Sequence, residues 1–194
     1  KNVERTRYAG LAARAQPGLE GPARVLFLAA RVLLPLPAAQ PAAALVICGA
    51  GLVIIVRAVR WRLWWCTARP DLIGLGIGYL WLGTGLILMG AALVLDDWRL
   101  TDALHGVTVG ALGTLTISVM ARNRSLWAKH DPGEAKGIPV AVGLIAVAAL
   151  ARMAAGWWPG SIWTAYWVAA GAWAGAYLLL IRLLVATTRK RRAA

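Results

Sequence analysis

The feature that most constrains this chain is a series of six apolar runs, separated by short links, that covers most of its 194 residues. Three runs, 71–95, 102–121 and 160–186, reach the length of about 20 residues that a membrane-spanning helix needs. The runs 41–57 and 138–155 are slightly shorter, and we expect them to span as well. The sequence therefore predicts an all-α integral membrane protein, a helical bundle with about six transmembrane helices. In order, the runs are 23–37, 41–57, 71–95, 102–121, 138–155 and 160–186.

Basic residues are concentrated in every second link. All but three of the 21 lysines and arginines lie in or beside the N-terminal arm, the links 57–69 and 122–136, and the C-terminal tail. Because basic residues favour the cytoplasmic side of a membrane, this alternation predicts six spans with both termini in the cytoplasm. The expected organisation is a basic cytoplasmic arm over 1–22, a six-helix transmembrane domain over 23–188 and a basic cytoplasmic tail over 189–194.

The positive net charge of the chain does not indicate binding to nucleic acid. The formal net charge is +13, but charged residues make up only 15% of the chain, against roughly 25% in soluble domains. Hydrophobic residues make up 60%, which is too many for a basic nucleic-acid-binding domain or a disordered chain. We therefore expect the lipid bilayer and other membrane protein chains as partners, and no nucleic acid.

The first run, 23–37, has two interpretations. It is short and carries Arg24 and Arg31, which lie seven residues apart and so share one face of a helix. It could lie in the membrane interface as an amphipathic helix, or span with Arg31 turned towards the bundle. A five-span arrangement would place the basic arm on the opposite side from the other basic links, which favours a sixth span.

Glycines recur at helical spacing within the runs. Gly74, Gly76 and Gly78 form a GxGxG pattern, but they lie inside an apolar run with no strand before it, so helix packing is favoured over a nucleotide-binding loop. Small residues at this spacing allow helix backbones to approach closely. The same helix-packing role is predicted for Gly106, Gly110 and Gly113 in the fourth run and for Gly171 and Gly175 in the sixth.

The histidine at the start of the fourth run is the main candidate for a functional site. His105 follows Asp102 by three residues, and ionisable groups within a span are rare without a function. A neutral imidazole can bind haem or copper, whereas the simpler alternative is a helix-end histidine hydrogen-bonded to Asp102 or to water. No catalytic residues are predicted. The expected outer side of the membrane also carries further polar residues, which form either a site or an ordinary acidic rim: Asp96, Asp97, Arg99 and Arg152.

Residues 103–122 resemble a segment of the NnrS family. The resemblance continues in Gly78-Tyr79-Leu80-Trp81, which is similar to a GYxW motif of that family, and in Arg57-Ala58-Val59-Arg60-Trp61, which is similar to its RLxRW link. It covers roughly residues 45–185. Family members are multi-pass proteins of the bacterial inner membrane with about twice this number of spans, and the chain would correspond to their second half.

The resemblance implies an association with haem or copper and a role in the response to nitric oxide or nitrosative stress. It makes His105 a metal ligand, with Asp102 hydrogen-bonded to it and orienting it. Two other family histidines are replaced here, one by Gly76 and one near Ile54. The alternative function is therefore a non-catalytic scaffold subunit of a larger respiratory or photosynthetic membrane complex, in which the metal sites are lost.

Overall fold

The computed structural model describes residues 17–63, 69–95, 99–128, 137–156 and 159–193, and these residues form a bundle of helices without strands. Single 3-10 turns, Pro37–Ala39 and Pro159–Ser161, precede the second and the sixth helix. The prediction of an all-α membrane bundle is confirmed. The long helices are α1 Pro17–Leu33, α2 Gln40–Arg60, α3 Pro70–Ala92, α4 Leu100–Trp127, α5 Ile138–Ala154 and α6 Ile162–Ala193.

Five of these helices are long and apolar enough to cross a membrane, namely α2 to α6. The first predicted run forms α1, which has 17 residues and packs beside α2. Glu20 of α1 forms an ion pair with Arg57 of α2 at 3.5 Å, while Leu28 and Val32 on α1 are about two-thirds exposed. An apolar outer face of this kind suits contact with lipid rather than with water.

Proline marks the first turn of three spans. Pro41, Pro70 and Pro139 each lie in the first two positions of their helix. The first amide groups of a helix have no carbonyl partner within the helix, so a residue without an N–H costs nothing there. These prolines therefore set where α2, α3 and α5 begin, and short links then return each helix antiparallel to the one before it.

Helix α3 packs closely between α2 and α4 because its glycines allow both neighbours to approach its backbone. On one side, a Cβ at Gly83 would lie 2.8 Å from the carbonyl oxygen of Gly51 in α2, and a Cβ at Gly90 would lie 2.7 Å from that of Ala44. On the other side, a Cβ at Gly85 would lie 2.9 Å from the backbone nitrogen of Val107 in α4. Real Cβ atoms do not approach backbone this closely, so these positions require glycine.

The remaining core lies between α4, α5 and α6. Its buried residues include Ile117, Ile138, Ile145 and Leu180, and alanines fill the spaces between them. Helix α6 nevertheless lies at the edge of the bundle, since only 17% of its most apolar window is buried, against 44% for α4. Trp163 and Trp167 on its outer face are about three-quarters exposed. The outer surface of α6 is therefore available to lipid or to another chain.

Candidate functional site

Helix α4 changes geometry directly after His105. The first part, Leu100–His105, is α-helical, Gly106–Ala111 forms a π-helical turn, and Leu112–Trp127 is α-helical again. A π turn inserts one extra residue into the helical repeat and shifts the faces before and after it relative to each other. Such turns are frequent at functional sites. Here the π turn begins directly after His105, and its glycines contact α3.

Two glycines sit within this π turn at close helix contacts. The Cα of Gly85 lies 3.2 Å from the position of a Cβ on Gly106. A Cβ on Gly110 would lie 2.6 Å from the ring of Trp81, so the indole rests directly on the backbone of α4. The π turn therefore packs closely against α3 at both glycines, directly after His105.

The side chain of His105 is hydrogen-bonded to an arginine of α5. Arg152 donates from Nε and Nη2 to the Nε2 atom of His105, at 3.1 and 2.9 Å. A guanidinium group has donors only, so Nε2 must be the acceptor, and the neutral ring carries its proton on Nδ1. The Nδ1 atom is buried and has no hydrogen-bond partner in the described part of the chain.

His105 and Arg152 line a groove of about 440 Å³ between α4, α5 and α6. The guanidinium carbon of Arg152 lies 4.2 Å from the centre of the Tyr166 ring, an arrangement typical of a cation–π interaction. Trp173 and several alanines form the apolar wall of the groove. Within the described ranges, no carboxylate lies within 4.0 Å of Arg152. The groove thus combines a neutral imidazole with a cation that has no acidic partner.

Asp102 lies away from the imidazole of His105. Its carboxylate packs against Gly156 beyond the end of α5, and no hydrogen bond joins it to His105. The structure therefore places Arg152, not Asp102, as the side chain that holds the ring of His105. Sequence reasoning placed Arg152 on the same side of the membrane but not in contact with His105. Asp96 and Asp97 lie outside the described residues.

The residues in the described ranges do not form a self-contained copper site. No group of three or more His, Cys, Asp or Glu side chains could surround one metal ion there. At the two positions where the resemblance implies histidines, a Cβ on Gly76 would lie 3.3 Å from the side chain of Leu63, and Ile54 is buried. Haem needs as little as one axial side chain, and His105 could supply it if Arg152 released Nε2. A single histidine is therefore compatible with haem, once Nε2 is released, but not with a self-contained copper site among the described residues.

The other glycines predicted to pack helices differ from one another. A Cβ at Gly113 would lie 3.1 Å from the side chain of Ile145, which is a tight contact between α4 and α5. A Cβ at Gly175 would lie 3.5 Å from Leu144, an ordinary distance, and one at Gly171 would meet nothing within 4 Å. Gly171 faces outwards, because α6 lies at the edge of the bundle and turns only one face inwards.

A second charged cluster joins α3 and α4 at the opposite end of the bundle. Asp71 is fully buried and accepts hydrogen bonds from Arg69 at 3.0 Å and from Arg122 at 2.5 Å. The hydroxyls of Thr114 and Ser118, which precede Arg122 on α4, are buried and have no hydrogen-bond partner within the described ranges. Sequence reasoning missed this cluster, although the signal was present: an aspartate in the first turn of one span and an arginine at the end of the next. Both arginines contact the same buried carboxylate and so connect the start of α3 to the last part of α4, which indicates a structural role.

Comparison with known proteins identifies one family. The family model described as NnrS protein matches residues 3–192, nearly the whole chain. No curated protein and no solved structure matches the chain significantly.

Proposed function

Because the chain belongs to the NnrS family, we propose that it is a multi-pass protein of the bacterial inner membrane that acts in the response to nitric oxide in association with haem. The observation that carries this proposal is the position of His105, a neutral imidazole on the wall of an apolar groove within the bundle. Both termini would lie in the cytoplasm, as the distribution of basic residues indicates.

Each side chain of the groove has a definable part in this proposal. His105 would hold the haem through Nε2, and a bound haem would supply an iron atom able to bind nitric oxide. Arg152 now occupies Nε2 and would have to release it, after which its guanidinium could donate to an acidic group. Tyr166 and Trp173 would exclude water from the groove. Asp102 remains a candidate partner for the second ring nitrogen only if its carboxylate moves from Gly156.

An absorption spectrum tests the proposal directly. We expect the purified membrane protein, oxidised and then reduced, to show the absorption bands of haem, and His105→Ala to lose them. Thr108→Val is the matched control. Thr108 lies on the same helix and is exposed, and its hydroxyl donates to the carbonyl oxygen of Leu104 one turn earlier. Haem bands that persist in His105→Ala would contradict the proposed ligand, and a wild-type protein without haem would contradict the association.

The second candidate is a scaffold subunit of a larger membrane complex. It is favoured by the two hydrogen bonds that Arg152 makes to the only free electron pair of His105, which block metal binding in this conformation. The exposed tryptophans of α6 would then meet another chain. If elemental analysis finds neither iron nor copper, and native electrophoresis of gently solubilised membranes shows the chain only in a larger assembly, this candidate replaces the first.

A further inference from the structure

A second groove lies at the other end of the α4–α6 contact, away from His105. It has a volume of about 620 Å³ and lies between the last turns of α4 and the corresponding turns of α6. We call it the basic groove and define it by the six lining residues that the argument uses: Met120, Arg124, Trp127, Leu184, Val185 and Thr188. None of these residues belongs to the groove that contains His105.

Arg124 gives this groove an uncompensated positive charge. No carboxylate lies within 4.0 Å of its guanidinium among the residues that the structure describes, and its Nε atom is buried without an acceptor. Arg122, two residues earlier on the same helix, faces the bundle and is paired with Asp71. The two arginines therefore differ in their counter-charge: Arg122 is paired with Asp71, whereas Arg124 has no acidic partner among the described residues.

Neighbouring side chains hold the guanidinium of Arg124 in place. Its Nη2 atom donates a hydrogen bond to the hydroxyl of Thr188, and its central carbon lies 4.1 Å from the centre of the Trp127 ring. The hydroxyl of Thr188 donates in turn to the carbonyl oxygen of Leu184 at 2.8 Å. Thr188 thus uses its proton within α6 and orients the arginine. A guanidinium held in this way, with no carboxylate in reach among the described residues, is well suited to a phosphate group.

The groove is polar at one end and apolar at the other. Arg124 lies one helical turn beyond Met120 on α4, and Thr188 lies one turn beyond Leu184 on α6, so the polar group lies about 6 Å closer to the end of the bundle. This order matches a phospholipid, whose phosphate lies at the membrane surface and whose chains extend inwards. The sequence directly after Thr188 adds Arg189, Lys190, Arg191 and Arg192, which raise the local attraction for anions.

We propose that the basic groove binds one anionic phospholipid, with its phosphate against the guanidinium group of Arg124 and an acyl chain along Met120, Leu184 and Val185. Charge complementarity selects the anionic headgroup over a zwitterionic one, because a choline or ethanolamine group would bring a second positive charge close to Arg124. The site is independent of the proposed haem groove.

The test uses the whole chain in nanodiscs that contain equal amounts of phosphatidylglycerol and phosphatidylcholine, followed by native mass spectrometry. We expect wild type to retain one phosphatidylglycerol about tenfold more often than phosphatidylcholine, because only the choline headgroup places a second positive charge beside Arg124. Arg124→Gln should abolish most of this preference. Thr188→Val should reduce it by a smaller factor, because the charge remains but its orientation is lost. His105→Ala should leave it unchanged, which separates this proposal from the haem proposal.

Arg182→Gln is the matched control. Arg182 lies on the same helix as Thr188, is exposed and does not line the groove, so this variant removes the same charge from outside the site. An equal loss in Arg182→Gln and Arg124→Gln would show attraction by net charge alone and overturn the proposal. Absence of any preference in wild type, or displacement of the lipid by millimolar inorganic phosphate, would overturn it as well. If Arg124→Gln does not fold, Thr188→Val and Arg182→Gln still decide between the outcomes.

Discussion

Helices α3 and α6 both carry glycines at helical spacing, yet the two sets do different things. In α3, Gly83, Gly85 and Gly90 each bring a neighbouring backbone to a distance that a Cβ would prohibit. In α6, a Cβ at Gly175 would make an ordinary contact, and one at Gly171 would meet open space. Small-residue spacing therefore marks helix packing only where neighbours lie on both sides, as they do around α3.

The largest effect is expected from a large side chain at the α2–α3 contact. Gly83→Leu would force a Cβ against the carbonyl of Gly51 and the backbone of Ile55, which cannot turn aside as a side chain can. We expect the free energy of unfolding to fall by about 3 kcal/mol or more, measured by unfolding in mixed micelles. Gly171→Leu is the control and should change stability little. Equal losses in both variants would contradict the comparison.

The next largest effect is expected from the buried ion pair between α3 and α4. Asp71→Asn removes the fully buried carboxylate that forms ion pairs with both Arg69 and Arg122. Because both arginines are partly exposed, we expect a loss of about 2–3 kcal/mol, below the cost in a fully buried pair. Glu20→Gln, which breaks the exposed pairs with Arg24 and Arg57, should cost less than about 1 kcal/mol. Similar losses of stability in Asp71→Asn and Glu20→Gln would show that the buried ion pair stabilises the fold no more than the other pairs do.

A smaller effect is expected where a glycine meets a side chain rather than a backbone. Gly110→Ala would place a Cβ 2.6 Å from the ring of Trp81, which can tilt away. We expect a loss of about 1–2 kcal/mol and an altered near-ultraviolet circular dichroism spectrum. In the double variant with Trp81→Leu, the cost of Gly110→Ala should largely disappear. Additive losses would mean that the contact between Trp81 and the π turn is not the cause.

The smallest expected effect is a gain in the free energy of unfolding rather than a loss. Gly171→Ala adds a methyl group where nothing lies within 4 Å and replaces the residue least suited to a helix interior apart from proline. We expect a gain of about 0.5–1 kcal/mol in the same unfolding measurement. Gly83→Ala should lose stability despite the same gain in helix propensity. A loss in Gly171→Ala would reveal a packing partner on the outer face of α6.

The candidate site was predictable only in part. His105 stands out because it is an ionisable residue at the start of an apolar run, and the segment that follows it indicates the family. Its contact with Arg152 was not predictable, because the two residues lie 47 positions apart and neither spacing nor composition relates them. Asp102, three residues before His105, suited a local hydrogen bond but instead contacts Gly156.

The sequence by itself determined the spanning helices, their order and the end of the bundle at which charge collects, because these depend on how each segment partitions into a membrane. It also determined the family, through the segment that begins at residue 103. Only the tertiary structure decided which glycines touch a neighbour, why α1 lies beside α2, and that Arg152 rather than Asp102 holds His105. These features depend on the rotation of each helix about its axis. That rotation is set by packing between segments far apart in the sequence, so a local sequence pattern does not predict it.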